Sequence, residues 1–324
     1  MLVASEEHKL AVSVVVLFFA VGAITAAYTF VDLLFLSSYP ATWLPYLFLG
    51  KTVTLLAFTF LVGRLVSRGS RRINAAMLAI KPICFCCIFI GSRWLLEWSI
   101  TGFPFALALW LDAVGVLVGV IVFNAVNDVF DLRRMKAIGG WIHAAAGAGG
   151  LVFGLSVPSI INLLGADQLL YVMSAALAIA AIGTAALQPL PVSFRETRQS
   201  VRPLDYPLFV RTAIAFALLL LVDTFADFVL KREIALIYNR EQIGAFMGPF
   251  YGLTNALTVV LQMSAVRLVV KRLGIRGLLC AVPVFGIVAA VGLFLLPGLW
   301  MAAAFRMGET VLRRGFDDFG RALV

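Results

Sequence analysis

Charged residues are scarce in this sequence. Asp, Glu, Lys and Arg make up 13% of its 324 residues, whereas a soluble domain has about a quarter. This scarcity, together with 62% hydrophobic residues and a mean hydropathy of +1.01, excludes a soluble globular enzyme. The four cysteines are too few for a disulfide scaffold, heptad repeats are absent, and the abundant aliphatic residues exclude disorder. The composition therefore indicates a polytopic membrane protein.

Long apolar runs are what the sequence contains instead. A helix needs about 20 residues to cross the hydrocarbon layer, so we take spans as apolar runs bounded by charge or by Pro and Gly. The first run is too long for a cleavable signal peptide and lacks a cleavage site. Ten spans are predicted: Leu10–Leu36, Leu44–Leu65, Ile73–Leu95, Phe103–Asn127, Ala137–Leu163, Gln168–Leu187, Phe209–Leu230, Ile243–Val266, Gly277–Leu296 and Gly298–Phe316.

The basic residues predict the orientation of these spans. A net charge of +9 would indicate a nucleic-acid partner in a soluble chain, but membrane proteins gather Lys and Arg in cytoplasmic loops. With the N-terminus inside, nineteen basic residues fall on the cytoplasmic side. Four fall outside, namely Arg93, Lys231, Arg232 and Arg240. We therefore expect a cytoplasmic N-terminus, the lipid bilayer as surroundings and no nucleic-acid partner.

An internal repeat relates the two parts of the chain. It pairs the first span with the seventh, the second with the eighth and the fourth with the tenth. Because paired spans are six apart, an even number, the repeats should be parallel about an axis along the membrane normal. The matches are Thr29–Asp32 with Thr224–Asp227 at an offset of 195, Pro45 and Arg68 with Pro249 and Arg272 at 204, and Trp110 and Asp128 with Trp300 and Asp318 at 190.

The predicted fold class is all-α, with two parallel repeat units in a major-facilitator-like layout. Residues 1–187 form a six-helix transmembrane unit, residues 188–208 a cytoplasmic linker, and residues 209–324 a second unit of about four helices. The second unit thus lacks its last two helices. We expect the chain to be a fragment or a shortened protein that does not transport unless a partner supplies them.

Several motifs resemble those of known transporters. The segment Gly63–Arg72 resembles the G-x-L-A-D-R-x-G-R-R loop motif of the major facilitator superfamily, but has Ser67 and Ser70 in place of Asp and Gly. Three stretches resemble the bacterial and plastid ATP/ADP carrier family: Lys136–Trp141 with Ala146–Gly150, Gly244–Asn255, and Arg306–Arg314.

That resemblance implies a secondary active transporter working by alternating access, with a small organic anion such as ATP or ADP as the exchanged substrate. It implies a multi-pass protein of a bacterial inner membrane, and neither catalytic residues nor a cofactor. An anion carrier needs fixed positive charge facing a central cavity. Lys51 corresponds to Asn255 across the repeat, so only one of the two repeat units has a positive charge at this position. Such an asymmetric cavity would suit an asymmetric substrate.

Eight charged residues inside the predicted spans are candidates for function, because a charge costs at least about 2.5 kcal/mol at the middle of a membrane. We interpret five polar residues of the spans as substrate-binding: Lys51, Lys81, Asn255, Arg306 and Glu309. Four acids are interpreted as ion-coupling or charge-pairing residues: Asp32, Asp112, Asp223 and Asp227.

Structural explanations compete with these roles. Lys51 could extend to the interface, Arg306 and Glu309 could neutralise each other at i, i+3, and Asp227 could simply pair with Lys231. The cysteines suit packing better than metal binding, and no metal site is expected. Six glycines suit close helix packing better than phosphate binding, because no strand precedes them: Gly139, Gly140, Gly147, Gly149, Gly150 and Gly154.

Two other functions remain open. Asn127–Asp131 resembles the N-D-x-x-D motif of UbiA-type intramembrane prenyltransferases, and Asp223 with Asp227 resembles a second such motif. The predicted topology puts the two motifs at opposite membrane surfaces, where they cannot share one magnesium diphosphate, so we expect the chain not to be an enzyme. A non-transporting, shortened membrane protein is the remaining alternative.

Overall fold

A computed structural model describes residues 6–68, 102–127, 129–130, 132–187 and 206–323. Within these ranges every long element is a helix. The third predicted span, with Lys81, and the linker up to residue 205 lie outside the described residues. The long helices are α1 (Glu6–Ser38), α2 (Leu44–Arg68), α3 (Phe103–Asn127), α4 (Leu132–Leu164), α5 (Leu169–Ala186), α6 (Tyr206–Ile237), α7 (Arg240–Val260), α8 (Val266–Leu295) and α9 (Leu299–Leu323).

Hydropathy predicts the ends of a helix well where Pro, Gly or an exposed polar residue lies at the boundary. Helix α3 begins and ends at the predicted residues. The predicted end of the seventh span at Leu230 is wrong, because α6 continues to Ile237 and only two residues separate it from α7. Lys231 therefore lies inside a helix and not in an outer loop. Its ammonium group is paired with buried carboxylates, so the helix continues through it.

The start of α7 is fixed by a capping box. The Gln242 backbone N–H donates to Asn239 Oδ1, and the Asn239 backbone N–H donates to Gln242 Oε1, both at 3.0 Å. These bonds satisfy two of the donors that a helix N-terminus leaves free. The reversal between α6 and α7 is thus short and well defined.

The loop predicted between the eighth and ninth spans is also wrong. The backbone stays helical from α7 through a π-helical turn, Leu261–Ala265, into α8. The basic residues of this segment suggested a loop because charge usually ends a span. Lys and Arg are nevertheless good helix formers, so their charge constrains the side of the membrane more than the backbone conformation.

Six helical segments in the described part of the chain are long and apolar enough to cross a bilayer. Large apolar side chains also point outward from the bundle, for example Leu49, Leu163, Phe294 and Trp300. Such exposure would be unfavourable in water and is suited to lipid. The protein is therefore an all-helical, membrane-embedded protein. The six segments are Glu6–Ser38, Ala41–Phe58, Phe103–Asn127, Ile138–Leu164, Ala166–Ala186 and Arg240–Met263.

Helix α1 lies at the centre of the bundle. It packs against α3, α4, α5 and α7, and many of its buried residues are small, such as Ala20, Ala23 and Ala26. We call α1 to α5 the first half and α6 to α9 the second half. The halves meet along α1 and along the contact of α4 with α7.

Glycines bring α4 and α7 together. A Cβ at Gly248 would lie 2.6 Å from Val157 Cβ and 2.7 Å from the Gly154 carbonyl oxygen, and one at Gly154 would lie 2.7 Å from Gly252 Cα. This close approach is the usual role of small-xxx-small patterns in membrane helices. The packing interpretation is confirmed for Gly147, Gly149, Gly150 and Gly154, whereas Gly139 and Gly140 have nothing within 4 Å of such a Cβ.

Candidate functional site

The buried charged residues that the structure describes meet where α6 packs against α1 and α9, with α7 alongside. Helix α6 aligns Asp223, Asp227 and Lys231 at intervals of four residues, which places them on one face. Helix α9 aligns its charges at intervals of three and four, Arg306, Glu309 and Arg313. These two faces contact each other, and Asp32 of α1 joins them at Lys231. We call these seven residues the charge network.

At one end of the charge network, Lys231 pairs with two carboxylates. Its Nζ is 2.8 Å from Asp32 Oδ1 and 2.7 Å from Asp227 Oδ2, and its side chain is only 3% exposed. The ring of Phe48 lies 5.6 Å from the same ammonium group, within cation–π range. The Tyr251 hydroxyl donates to Asp32 Oδ2 at 2.6 Å. One lysine therefore bridges Asp32 of α1 and Asp227 of α6, the two aspartates that the sequence analysis predicted to be equivalent.

Arg306 holds the other end of the network together. Its guanidinium contacts Asp223, lies 3.2 Å through Nε from Asp227 Oδ1, and donates through Nη1 to Glu309 Oε2 at 3.1 Å. Arg313 donates to Glu309 Oε1 at 2.9 Å and to Asp223 Oδ1 at 2.8 Å. The sequence predicted Arg306 and Glu309 as neighbours, and the structure places them in a larger set that links two helices.

Buried charges of this kind are unfavourable unless paired and hydrogen-bonded. Glu309 is only 1% exposed, yet each of its oxygens accepts from an arginine. Four carboxylates and three cations share these contacts, so no member described here is buried without an opposite charge. The arrangement stabilises one relative position of α6 and α9, because moving either helix would separate several pairs at once.

Lys51 and Asp112 form a separate pair. Lys51 Nζ lies 2.8 Å from Asp112 Oδ1, which joins α2 to α3, and the two side chains are 16% and 18% exposed. Lys51 is thus held by a partner on α3 within the bundle. Lys81, predicted to act beside it, lies outside the described residues.

Asn255 links the two halves on the other side of the network. Its Nδ2 donates to Thr25 Oγ1 of α1 at 2.9 Å, and its Oδ1 accepts from Arg314 Nη1 at 3.3 Å. The predicted substrate-binding residues therefore lie at three places: the Lys51 pair, the charge network and the Asn255 contact.

Five polar residues of this region are absent from the sequence-based site: Thr25, Lys231, Tyr251, Arg313 and Arg314. Lys231 lies one helical turn after Asp227, a spacing that signalled the pair, but its charge suggested a loop. Tyr251 lies within a stretch that carries the family resemblance. Its bond to Asp32 depends on tertiary contact between α1 and α7, which the sequence does not display.

The carboxylates of the second Asp motif are already occupied. Asp223 contacts Arg306 and Arg313, and Asp227 contacts Arg306 and Lys231. Carboxylates that bind magnesium diphosphate need free oxygens for the metal. Asp128 and Asp131, the first motif, lie outside the described residues.

Comparison of the chain with protein-family models, curated protein sequences and solved structures found no match.

Proposed function

We propose that this chain is a secondary active membrane transporter that works by alternating access on a small organic anion, with ATP and ADP as candidates. The observation that carries the proposal is the charge network, because ionisable side chains inside a membrane are costly and mark substrate and ion pathways. The resemblance of three sequence stretches to the ATP/ADP carrier family supports the same function.

The helix contacts support two equivalent units. Helix α1 packs against α3 as α6 packs against α9, and α2 packs against α3 as α7 packs against α9. These are the pairings that the sequence repeat predicts. Lys51 and Asn255, matched across the repeat, also bond to equivalent helices, α3 and α9. Such equivalence favours a major-facilitator-like layout, in which one unit rocks against the other.

Exchange of counter-ions explains how an anion would bind here. Lys51 is neutralised by Asp112, and Arg306 by three carboxylates. A phosphate that enters between the halves would take the place of a carboxylate, so the cations keep an opposite charge throughout. The proposal assigns Lys51, Lys81, Asn255, Arg306 and Glu309 to the substrate site.

The orientation is part of the proposal and is supported by the basic residues. The structure places basic residues of both sides inside helices, among them Lys231 in α6 and Arg267 in α8, so the proposed orientation rests on the sequence count of nineteen against four. We propose a cytoplasmic N-terminus in a bacterial inner membrane. Single cysteines placed in successive loops and labelled from one side would test this orientation.

Nucleotide binding by the purified protein in lipid nanodiscs tests the function. Binding does not depend on a complete transport cycle, so it gives a clear result for the chain by itself. We expect saturable binding of ATP and ADP that Lys51→Ala and Lys81→Ala weaken tenfold or more, a loss of about 1.4 kcal/mol. The control variant Arg68→Ala, at the last residue of α2 where the cytoplasmic loop is predicted to begin, should bind as the wild type does.

Three outcomes would contradict the proposal. No organic anion binds, or the loop variant and the two lysine variants lose affinity equally. Magnesium-dependent prenyl transfer that disappears in Asp128→Ala would favour the enzyme alternative instead.

A further inference from the structure

The carboxylate of Asp32 finds its described hydrogen-bond and ion-pair partners in the other half of the molecule. This carboxylate is 2% exposed, and its partners are Lys231 of α6 and Tyr251 of α7. Both partners belong to the second half, whereas Asp32 lies on α1 of the first half. Every hydrogen bond and ion pair of this buried carboxylate in the described structure therefore crosses between the halves.

The other buried charges differ from Asp32 in this respect. Lys51 and Asp112 pair within the first half. Asp223 and Glu309 form their ion pairs with Arg306 and Arg313, which belong to the same second half. Lys231 itself keeps Asp227, which lies one turn earlier on the same helix. Separation of the halves at α1 would thus leave each of these groups paired and would leave Asp32 alone.

We propose that Asp32 is a proton-binding site, and that the halves separate at α1 when this carboxylate takes up a proton. The inference rests on the alternating access proposed above. In the separated state a proton from water adds to the Asp32 carboxylate and gives a neutral carboxylic acid. Lys231 stays an ammonium ion beside Asp227, and Tyr251 keeps its hydroxyl proton. Charge and protons balance without any other reactant.

Asp32 is the group that fits this role among the titratable groups around it. The hydroxyl of Tyr251 donates in the closed state, and the cations keep carboxylate partners of their own. The titratable and charged groups that interact around this site are Tyr28 on α1, Lys51 on α2, Asp112 on α3, Asp227 and Lys231 on α6, Tyr251 on α7, and Arg306 and Arg314 on α9. His143 stacks on Phe123 with ring centroids 6.0 Å apart, and is not a partner of Asp32.

Distances between spin labels in nanodiscs would show the separation directly. Tyr46 of α2 and Leu236 of α6 are exposed and lie near one end of the α1 contact, and Val15 and Met263 serve as a second pair near the other end. The four native cysteines are first replaced by serine. As pH falls, the ratio of separated to closed molecules should rise at one of these ends. One bound proton permits up to about a tenfold rise per pH unit.

Two variants connect this response to Asp32. Asp32→Asn carries a neutral side chain of the same shape, so it should favour the separated state at every pH and lose the pH response. Glu7→Gln removes an exposed carboxylate from the same helix and should respond as the wild type does. Asp32→Glu keeps an ionisable group and should keep a pH response, which separates titration from a defect in folding.

A wild type without a pH-dependent distance, or an Asp32→Asn variant with an unchanged response, would overturn the inference. Its failure is distinguishable from failure of the proposed function. Anion binding without pH-dependent separation rejects only the proton site, and separation without anion binding rejects only the proposed substrate.

Discussion

Two of the contacts between the halves of this protein have opposite chemistry. Helices α4 and α7 meet through glycines, with Gly154 against Gly248 and Gly252. Helices α1 and α6 meet through the ion pair of Asp32 and Lys231. At Gly154, Gly248 and Gly252 the glycine contact depends on shape, because a Cβ at Gly154 or Gly248 would overlap atoms of the facing helix. The charged contact depends on the protonation and the partners of a few atoms. This difference suggests that the first serves as a pivot and the second opens.

The largest expected effect comes from removing the central cation. Lys231→Ala leaves Asp32 and Asp227 facing each other without the lysine, and breaking a buried pair in this way costs about 3–5 kcal/mol. Thermal unfolding in detergent or nanodiscs should detect the loss. The neighbouring Arg232 is exposed, and Arg232→Ala should change stability by less than about 0.5 kcal/mol. Equal effects of the two changes would show that the charged contact is not structural.

The glycine contact should be the next most sensitive. Gly154→Ala introduces a Cβ that would lie 2.7 Å from Gly252 Cα, and overpacking of this kind costs about 1–3 kcal/mol. Gly140 lies on the same helix with open space around it, so Gly140→Ala should be neutral or slightly stabilising because alanine favours helix. If both variants unfold at the same temperature, α4 and α7 do not approach as closely as described.

A double-mutant cycle would sharpen the comparison between the contacts. Asp32→Asn with Lys231→Met should be less unstable than the sum of the single variants, because the double variant no longer contains the cross-half charge pair. We expect a coupling of about 0.5–3 kcal/mol. Gly154→Ala combined with Asp32→Asn should be closer to additive, since the two sites share no partner. Strong coupling in this second combination would argue against two independent contacts.

The smallest effect is expected from the exposed ion pair between the halves. Arg240 lies 2.5 Å from Asp167, with side chains 46% and 34% exposed. Exposed pairs contribute about 0–1 kcal/mol and weaken with salt. Arg240→Ala should therefore lower the unfolding temperature slightly at low salt and not at high salt. A large loss that salt does not affect would mean that this pair belongs to the structural contact.

Sequence reasoning could predict the membrane class, most helix positions and the glycine packing, because these depend on local composition and spacing. It could not predict the end of α6. The neighbours of Lys231 in the sequence predict a loop, because three charged residues follow one another there. Its partner Asp32 comes from the other half of the chain, so the sequence around Lys231 does not show that its charge is neutralised. The roles of Lys51 and Asp112 as partners likewise depend on how α2 and α3 pack. Pairs one turn apart, such as Arg306 with Glu309 and Asp227 with Lys231, were within reach of the sequence.

The central claim is that the charged contact opens while the glycine contact stays closed. Two distances between spin labels, measured in nanodiscs prepared in the same way, test this claim most directly. The first distance, Tyr46 to Leu236, spans the charged contact, and the second, Leu155 to Leu253, spans the glycine contact. All four residues are exposed. Acidification should lengthen either the distance from Tyr46 to Leu236 or the distance from Val15 to Met263, and should leave the distance from Leu155 to Leu253 unchanged. A second distance that lengthens together with the first, or in its place, would contradict the account.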